Sequence, residues 1–210
     1  MGDMPDGAIL EMPAVEAEAA FMMSIESLSM YGALILILIS MGTITNERQL
    51  GITELILAKP IDYRNYITAK WAAYISLAII SLLLSLSMSW YYTNLLFGSL
   101  SIQLFILTVA FYSVSFIFVI SLAIFFNTFC KNAGLVVACT IGSLFGLSGI
   151  NAVVGYRLTW FPNQLASHIN EMLLTSEVSG ALLGTVGIII CLILLLITFS
   201  IIIFQRKELI

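Results

Sequence analysis

The run GIIICLILLLITFSIIIF, residues 187–204, decides the fold class, because it contains no charged residue at all. A helix needs roughly 20 apolar residues to cross the hydrocarbon core of a bilayer, which is about 30 Å thick. The run is long enough for one crossing once the neighbouring small and apolar residues are added. We therefore predict a membrane-spanning helix over residues 180–204.

The rest of the chain has the same character. Of its 210 residues, 60% are hydrophobic and 10% are charged, whereas soluble domains carry about a quarter charged residues. No gap between the apolar runs is long enough for a separate soluble domain. The sequence predicts an all-α, polytopic integral membrane protein that forms a single transmembrane domain. Its five predicted spans are residues 27–45, 68–91, 104–126, 133–156 and 180–204.

The basic residues predict the orientation, since cytoplasmic loops carry an excess of Lys and Arg. If the loop 46–67 is cytoplasmic, seven of the eight basic residues lie inside and only Arg157 lies outside. We therefore expect an external N-terminal segment (1–26), an external segment (157–179) and a cytoplasmic tail (205–210) in the cell membrane. Because an exposed N-terminus before an outside-to-inside helix is unusual, we also expect that a preceding span is missing from this chain.

A charged segment, which we call the island, lies between the first two spans: TITNERQLGITELILAKPIDYRNY, residues 43–66. Asn46 suits a helix N-cap and is followed by acid, which the helix dipole favours at this position. Lys59-Pro60 stops a helix, because the residue before proline is pushed out of the α region. The pattern predicts a short helix over 46–58 at the membrane surface. It is either a solvated loop that sets topology or an element that docks a partner.

The island resembles the signature of the ABC type-2 exporter permeases. Glu47-Arg48, Gly51, Glu54-Leu55, Pro60 and Lys70 stand where that family has an acid-base pair, a glycine, Glu-Leu, a proline and a lysine. Ile52-Thr53 replaces the commoner Thr-Leu. The C-terminal FQRKELI (204–210) is similar to the usual ending of the family. Its members usually have six spans, and this chain supplies five.

The resemblance implies a permease subunit that pairs with a second permease subunit and with cytoplasmic ATPases. The short helix would then be a coupling helix that docks the ATPase.

No G-x-x-x-x-G-K-[ST] occurs among the 14 glycines, so no phosphate-binding loop is present. We therefore expect no enzyme activity and no cofactor in this chain. ATP and Mg²⁺ would bind to the partner ATPase, and no nucleic-acid partner is expected. A membrane anchor or assembly factor that transports nothing is the alternative. The predicted docking residues are Glu47, Arg48, Gly51, Thr53, Glu54, Leu55 and Pro60.

Small residues recur at four-residue spacing in two spans: Ala138, Gly142 and Gly146 in one, Gly180 and Gly184 in another. This spacing lets helices approach closely in lipid. We favour packing within the chain over a seam between two subunits.

The external segment contains RLTWFPNQLASHINEMLL, residues 157–174. It predicts an aromatic anchor at Trp160-Phe161, a break at Pro162, and an amphipathic helix over about 163–174. In the family that the chain resembles, the corresponding helices dip into the outer leaflet and close the conduit. The alternative is a helix that simply lies on the membrane.

The remaining reactive or polar residues predict no chemistry. Cys130, Cys139 and Cys191 lie apart in apolar sequence, which favours buried hydrophobes over a disulfide or metal site. His168 with Glu171 is too few ligands for structural zinc. No span carries a pair of ionisable residues at its centre, so an intramembrane enzyme is the weakest hypothesis. We expect water to satisfy the asparagines near span ends, which are Asn127, Asn132 and Asn151.

Overall fold

A computed structural model describes residues 17–52, 63–154 and 160–208. Within these ranges the chain is helical and contains no β-strand, which confirms the predicted all-α class. The helices are α1 Ala17–Ser40, α2 Thr45–Gln49, α3 Tyr63–Leu96, α4 Ile102–Phe129, α5 Ala133–Val154, a 3₁₀ turn Pro162–Gln164, α6 Leu165–Thr175 and α7 Gly180–Glu208.

Helix α4 is the centre of the bundle. It packs most extensively against α7, and also against α1, α3, α5 and α6. Large apolar side chains on the outer helices instead point away from the bundle, among them Leu84 on α3 and Leu194 on α7, which are 64% and 61% exposed. Within the described ranges, five helices are long and apolar enough to cross a membrane. An apolar outer surface of this extent suits lipid, because soluble proteins rarely expose large apolar patches.

The predicted spans agree with the helices except at their ends. Helix α1 already includes Ala17, whereas the sequence predicted a span from residue 27 preceded by a separate segment. The extra turns are helical because their apolar face is buried: Phe21 and Ile25 are fully enclosed. Helix α1 ends at Ser40 rather than 45, just before Gly42, which has a φ of +77°.

The later spans are close to prediction. Helix α3 exceeds its predicted range by five residues at each end, and α4 by two or three. Helices α5 and α7 begin at Ala133 and Gly180, where they were predicted to begin.

The helix ends form two groups, which we name the α2 end and the α6 end. At the α2 end, the C-termini of α1, α4 and α7 meet the N-termini of α3 and α5. At the α6 end, α6 packs against α1, α4 and α7. The amphipathic helix predicted over 163–174 is confirmed as the 3₁₀ turn and α6. Its fully enclosed side chains are Leu165, Ile169, Met172 and Leu173.

Candidate functional site

The polar junction, residues 41–52, turns the chain from α1 into α2. Gly42 permits the turn, because its φ of +77° is in the left-handed region that favours glycine. A Cβ on Gly42 would also collide with the carboxamide of Asn46. The predicted N-cap role of Asn46 is therefore wrong: α2 begins at Thr45, and no side chain caps it.

An ion pair fastens α2 to α3. Lys70 Nζ lies 2.5 Å from Glu47 Oε1 and donates to the Thr43 carbonyl at 2.8 Å. The Tyr66 hydroxyl donates to Glu47 Oε2 at 2.7 Å. Both carboxylate oxygens of Glu47 are thus engaged within the chain. Because the Lys70 and Glu47 side chains are only 18% and 31% exposed, water screens this pair less than a surface pair.

Aromatic contacts extend the same cluster to α7. The Arg48 guanidinium lies 5.3 Å from the centre of the Phe204 ring, within range of a cation–π interaction. Tyr66 stacks on Phe204 with 5.5 Å between ring centres. Phe204 is fully buried. The start of α3, the middle of α2 and the end of α7 are therefore packed together around one phenylalanine.

Asn127, on α4, fixes the other side of the junction. Its Nδ2 donates to the carbonyls of Ser40 at 2.9 Å and Ala123 at 3.0 Å. Its Oδ1 accepts from the Ile44 backbone at 3.4 Å and the Thr45 hydroxyl at 3.3 Å. The prediction that water satisfies Asn127 is wrong, because the residue is fully buried. The turn leaves backbone groups at the end of α1 and the start of α2 without a partner inside a helix. The Asn127 carboxamide provides the hydrogen bonds that water would otherwise make to them.

Gln49 joins the junction to the turn between α4 and α5. Its Nε2 donates to the Lys131 carbonyl at 2.8 Å and to Asn132 Oδ1 at 3.1 Å. Together with the contacts of Glu47, Arg48 and Thr45, this bond connects α2 to three of the spans, α3, α4 and α7, and to the turn between α4 and α5. Nothing in the sequence pattern indicated Gln49. Asn127 carries a weak signal, since it is a carboxamide inside an otherwise apolar run.

Gly51 interrupts the predicted helix over 46–58. Its φ is +70°, and its N–H donates to the Arg48 carbonyl at 3.1 Å, which closes the end of α2. A continuous helix is therefore wrong for the described part, and glycine acts here as a helix terminator. Leu50 and Ile52, on either side, are 73% and 40% exposed. The other predicted docking residues, Thr53, Glu54, Leu55 and Pro60, lie outside the described residues.

The small-residue positions separate into two kinds. Gly184 packs inside the chain, since a Cβ there would lie 3.3 Å from the Trp160 ring. Gly142, Gly146 and Gly180 have no atom within 4 Å of the Cβ position, and all three are exposed, as is Ala138. In the described structure, Gly184 therefore lies against another side chain of this chain, whereas the α5 positions and Gly180 do not.

A cleft of about 290 Å³ lies between α1, α4 and α5. Its wall is apolar except for Ser29, Ser148 and Asn163, which lie towards the α6 end. Asn163 Nδ2 donates to Ser148 Oγ at 3.1 Å. Among the described residues, the side chains that line the cleft are apolar or neutral.

The remaining ionisable groups are sparse at the α6 end. His168 Nδ1 lies 3.6 Å from Glu171 Oε2, and Asn170 Nδ2 donates to Glu26 Oε1 at 3.2 Å. Among the residues whose positions are given, no three of His, Cys, Asp and Glu lie close enough to hold a metal ion. The polar junction is therefore the most elaborate polar arrangement in the described structure.

Comparison with known proteins supports the membrane assignment. The chain is 26% identical over 207 residues to the uncharacterized transmembrane protein YxlG of Bacillus subtilis (strain 168), covering 99% of this chain and 80% of that protein. No protein-family model matches the chain, and no solved structure matches it. Together with the five apolar helices, the similarity identifies a multi-pass membrane protein.

Proposed function

We propose that this chain is the membrane-spanning permease subunit of an ATP-driven exporter, powered by a separate cytoplasmic ATPase that docks at the polar junction. The observation that carries the proposal is the attachment of α2 to three spans through Glu47, Arg48 and Asn127, and to the turn between α4 and α5 through Gln49. A five-residue helix has no stability of its own. Held in this way, it moves only with the helices around it.

Such an element can transmit force. A protein that pushes or pulls on α2 also displaces the start of α3 through the Glu47–Lys70 pair and the end of α4 through Asn127. The exposed Leu50 and Ile52 offer an apolar contact surface beside Gly51. The predicted docking residues Thr53, Glu54, Leu55 and Pro60 follow Ile52 in the sequence.

The distribution of charge supports a cytoplasmic α2 end. Arg48, Arg64, Lys70 and Lys131 belong to this end, and the last turn of α7 adds Arg206 and Lys207. At the α6 end, the described residues include the acids Glu26, Glu171 and Glu177 and contain no Lys or Arg. Under the positive-inside rule, the α2 end and the C-terminus face the cytoplasm.

The ATPase must be a separate polypeptide, because the sequence has no phosphate-binding loop. A second permease subunit would complete the assembly. The exposed face of α5 that carries Ala138, Gly142 and Gly146 offers a helix of that subunit a close approach, because no side chain of the described ranges covers it.

The first test is purification of the full chain from the membranes of its own cells, followed by identification of bound proteins and measurement of ATP hydrolysis. We expect an ATPase in equal stoichiometry with the permease. We also expect Glu47→Gln to insert normally and to lower the hydrolysis of the purified complex several-fold. The substitution keeps the size of the side chain but removes the charge that holds Lys70.

Glu177→Gln is the matched control, since Glu177 is an exposed acid in the turn before α7 at the opposite end. It should hydrolyse ATP like the parent. A chain that binds a cytoplasmic protein without ATPase activity would instead favour the anchor or assembly factor. Equal hydrolysis by the Glu47→Gln complex and the parent would show that the junction only sets topology.

A further inference from the structure

Two of the three cysteines lie side by side, although the sequence placed them apart. Cys130 Sγ lies 4.0 Å from Cys139 Sγ. Cys130 ends α4, where its N–H donates to the Phe126 carbonyl, and Cys139 lies in the second turn of α5. Cys130 is buried, Cys139 is half-buried, and Cys191 is exposed on α7.

We infer that Cys130 and Cys139 form an oxidisable dithiol, with a peroxide as the oxidant and an intrachain disulfide as the product. This site is independent of the exporter proposal, because it needs only the geometry of the turn between α4 and α5. Cys191 does not belong to it.

The local backbone permits the sulfurs to close the gap. A disulfide is about 2.05 Å long, so the two sulfurs must approach each other by about half of their present separation. Cys130 is outside both helices, with φ of −77° and ψ of 154°. Its side chain can therefore rotate, and its backbone can shift slightly, without breaking a hydrogen bond inside either helix. The one bond at risk is the C-cap bond from the Cys130 N–H to the Phe126 carbonyl.

The reaction balances with one molecule of hydrogen peroxide. The sulfur of Cys139, the more accessible of the two, attacks a peroxide oxygen. The O–O bond breaks, a sulfenic acid forms, and the thiol proton leaves with the second oxygen as water. The sulfur of Cys130 then attacks the sulfenic sulfur. The S–O bond breaks, the S–S bond forms, and the leaving hydroxide takes the Cys130 proton as a second water. Two thiols are oxidised and one peroxide is reduced.

The location gives the disulfide a structural consequence. Cys139 is six residues into α5, or about 9 Å along the helix at 1.5 Å per residue. A bond to Cys130 therefore ties the second turn of α5 to the end of α4 across Lys131 and Asn132. Gln49 bonds to both of these turn residues. The oxidised pair would restrict motion between α4 and α5 next to the polar junction.

The test uses the purified full chain in detergent, treated with hydrogen peroxide and then with a maleimide that reacts with thiols. We expect two of the three thiols to become protected from the maleimide. Dithiothreitol should restore both thiols. Digestion without reductant should yield one linked peptide pair that contains Cys130 and Cys139.

Three serine variants distinguish the outcomes. Cys191→Ser should form the linked pair like the parent, whereas Cys130→Ser and Cys139→Ser should form none. Peroxide treatment that leaves all three thiols of the parent reactive would overturn the inference. So would addition of oxygen atoms to Cys130 or Cys139 without a bond between them, or disulfide-linked dimers in place of the intrachain pair. The peptide map of the parent decides the matter even if a serine variant fails to fold.

Discussion

At the α2 end of the bundle, a helix of five residues is held by directional bonds: an ion pair, a buried carboxamide and a glutamine amide. At the α6 end, a helix of eleven residues is held by four enclosed apolar side chains. Hydrogen bonds require a particular partner at a particular distance. Apolar burial is non-directional and depends on volume. The α2 end should therefore be sensitive to changes of polarity at constant size, and the α6 end to changes of size at constant polarity.

The largest effect is expected at the α6 end. Ile169→Ala removes most of a side chain that is fully enclosed, and large-to-small changes of this kind cost about 2–5 kcal/mol. We expect the free energy of unfolding in mixed detergent micelles to fall by this amount.

Two controls sharpen this prediction. Ile169→Leu keeps the volume and should cost less than about 1.5 kcal/mol. Ser167→Ala changes an exposed position on the same helix and should have little effect. Equal losses for Ile169→Ala and Ser167→Ala would show that α6 does not rely on burial.

At the α2 end, the informative substitution changes polarity and keeps size. Asn127→Leu keeps the size of a fully buried side chain but leaves the Ile44 N–H without its acceptor. A buried polar group left unpaired costs about 1–3 kcal/mol. We expect the thermal unfolding midpoint to drop, and protease cleavage within 41–52 to accelerate as the junction loosens.

The control for Asn127 is Asn132→Leu, at an exposed position that accepts one bond from Gln49. Its unfolding midpoint should lie closer to that of the parent. If both variants unfold alike, the carboxamide of Asn127 does not hold the turn, and the contrast between the two ends is lost.

The smallest effect separates two glycines. Gly142→Ala should leave stability unchanged or raise it by up to about 1 kcal/mol, because alanine is the better helix former and nothing lies near the new Cβ. Gly184→Ala gains the same propensity but presses on the Trp160 ring. We expect the two unfolding midpoints to differ, with Gly142→Ala the more stable. A destabilised Gly142→Ala would reveal a packing partner on the open face of α5.

The spans could be predicted well because lipid imposes a simple rule. A chain that crosses hydrocarbon must satisfy its backbone internally, so a run such as 187–204 leaves only a helix. The amphipathic helix after Pro162 was equally accessible, since its apolar residues repeat at helical spacing. The predicted continuity of the helix at Gly51 was wrong because glycine is ambiguous. At Gly51 the same residue that merely weakens a helix interior adopts a positive φ and ends α2.

The sequence by itself determined the membrane as the solvent, the number of apolar helices and the concentration of charge between α1 and α3, because these follow from local composition. Only the tertiary structure decided which polar groups meet. Glu47 and Lys70 are 23 residues apart, and Asn127 and Ser40 are 87 apart. Cys130 and Cys139 are close in sequence, yet the turn between α4 and α5 decides that their sulfurs face each other. Such pairs depend on how the helices pack around α4, and packing depends on the shapes of all the helices together.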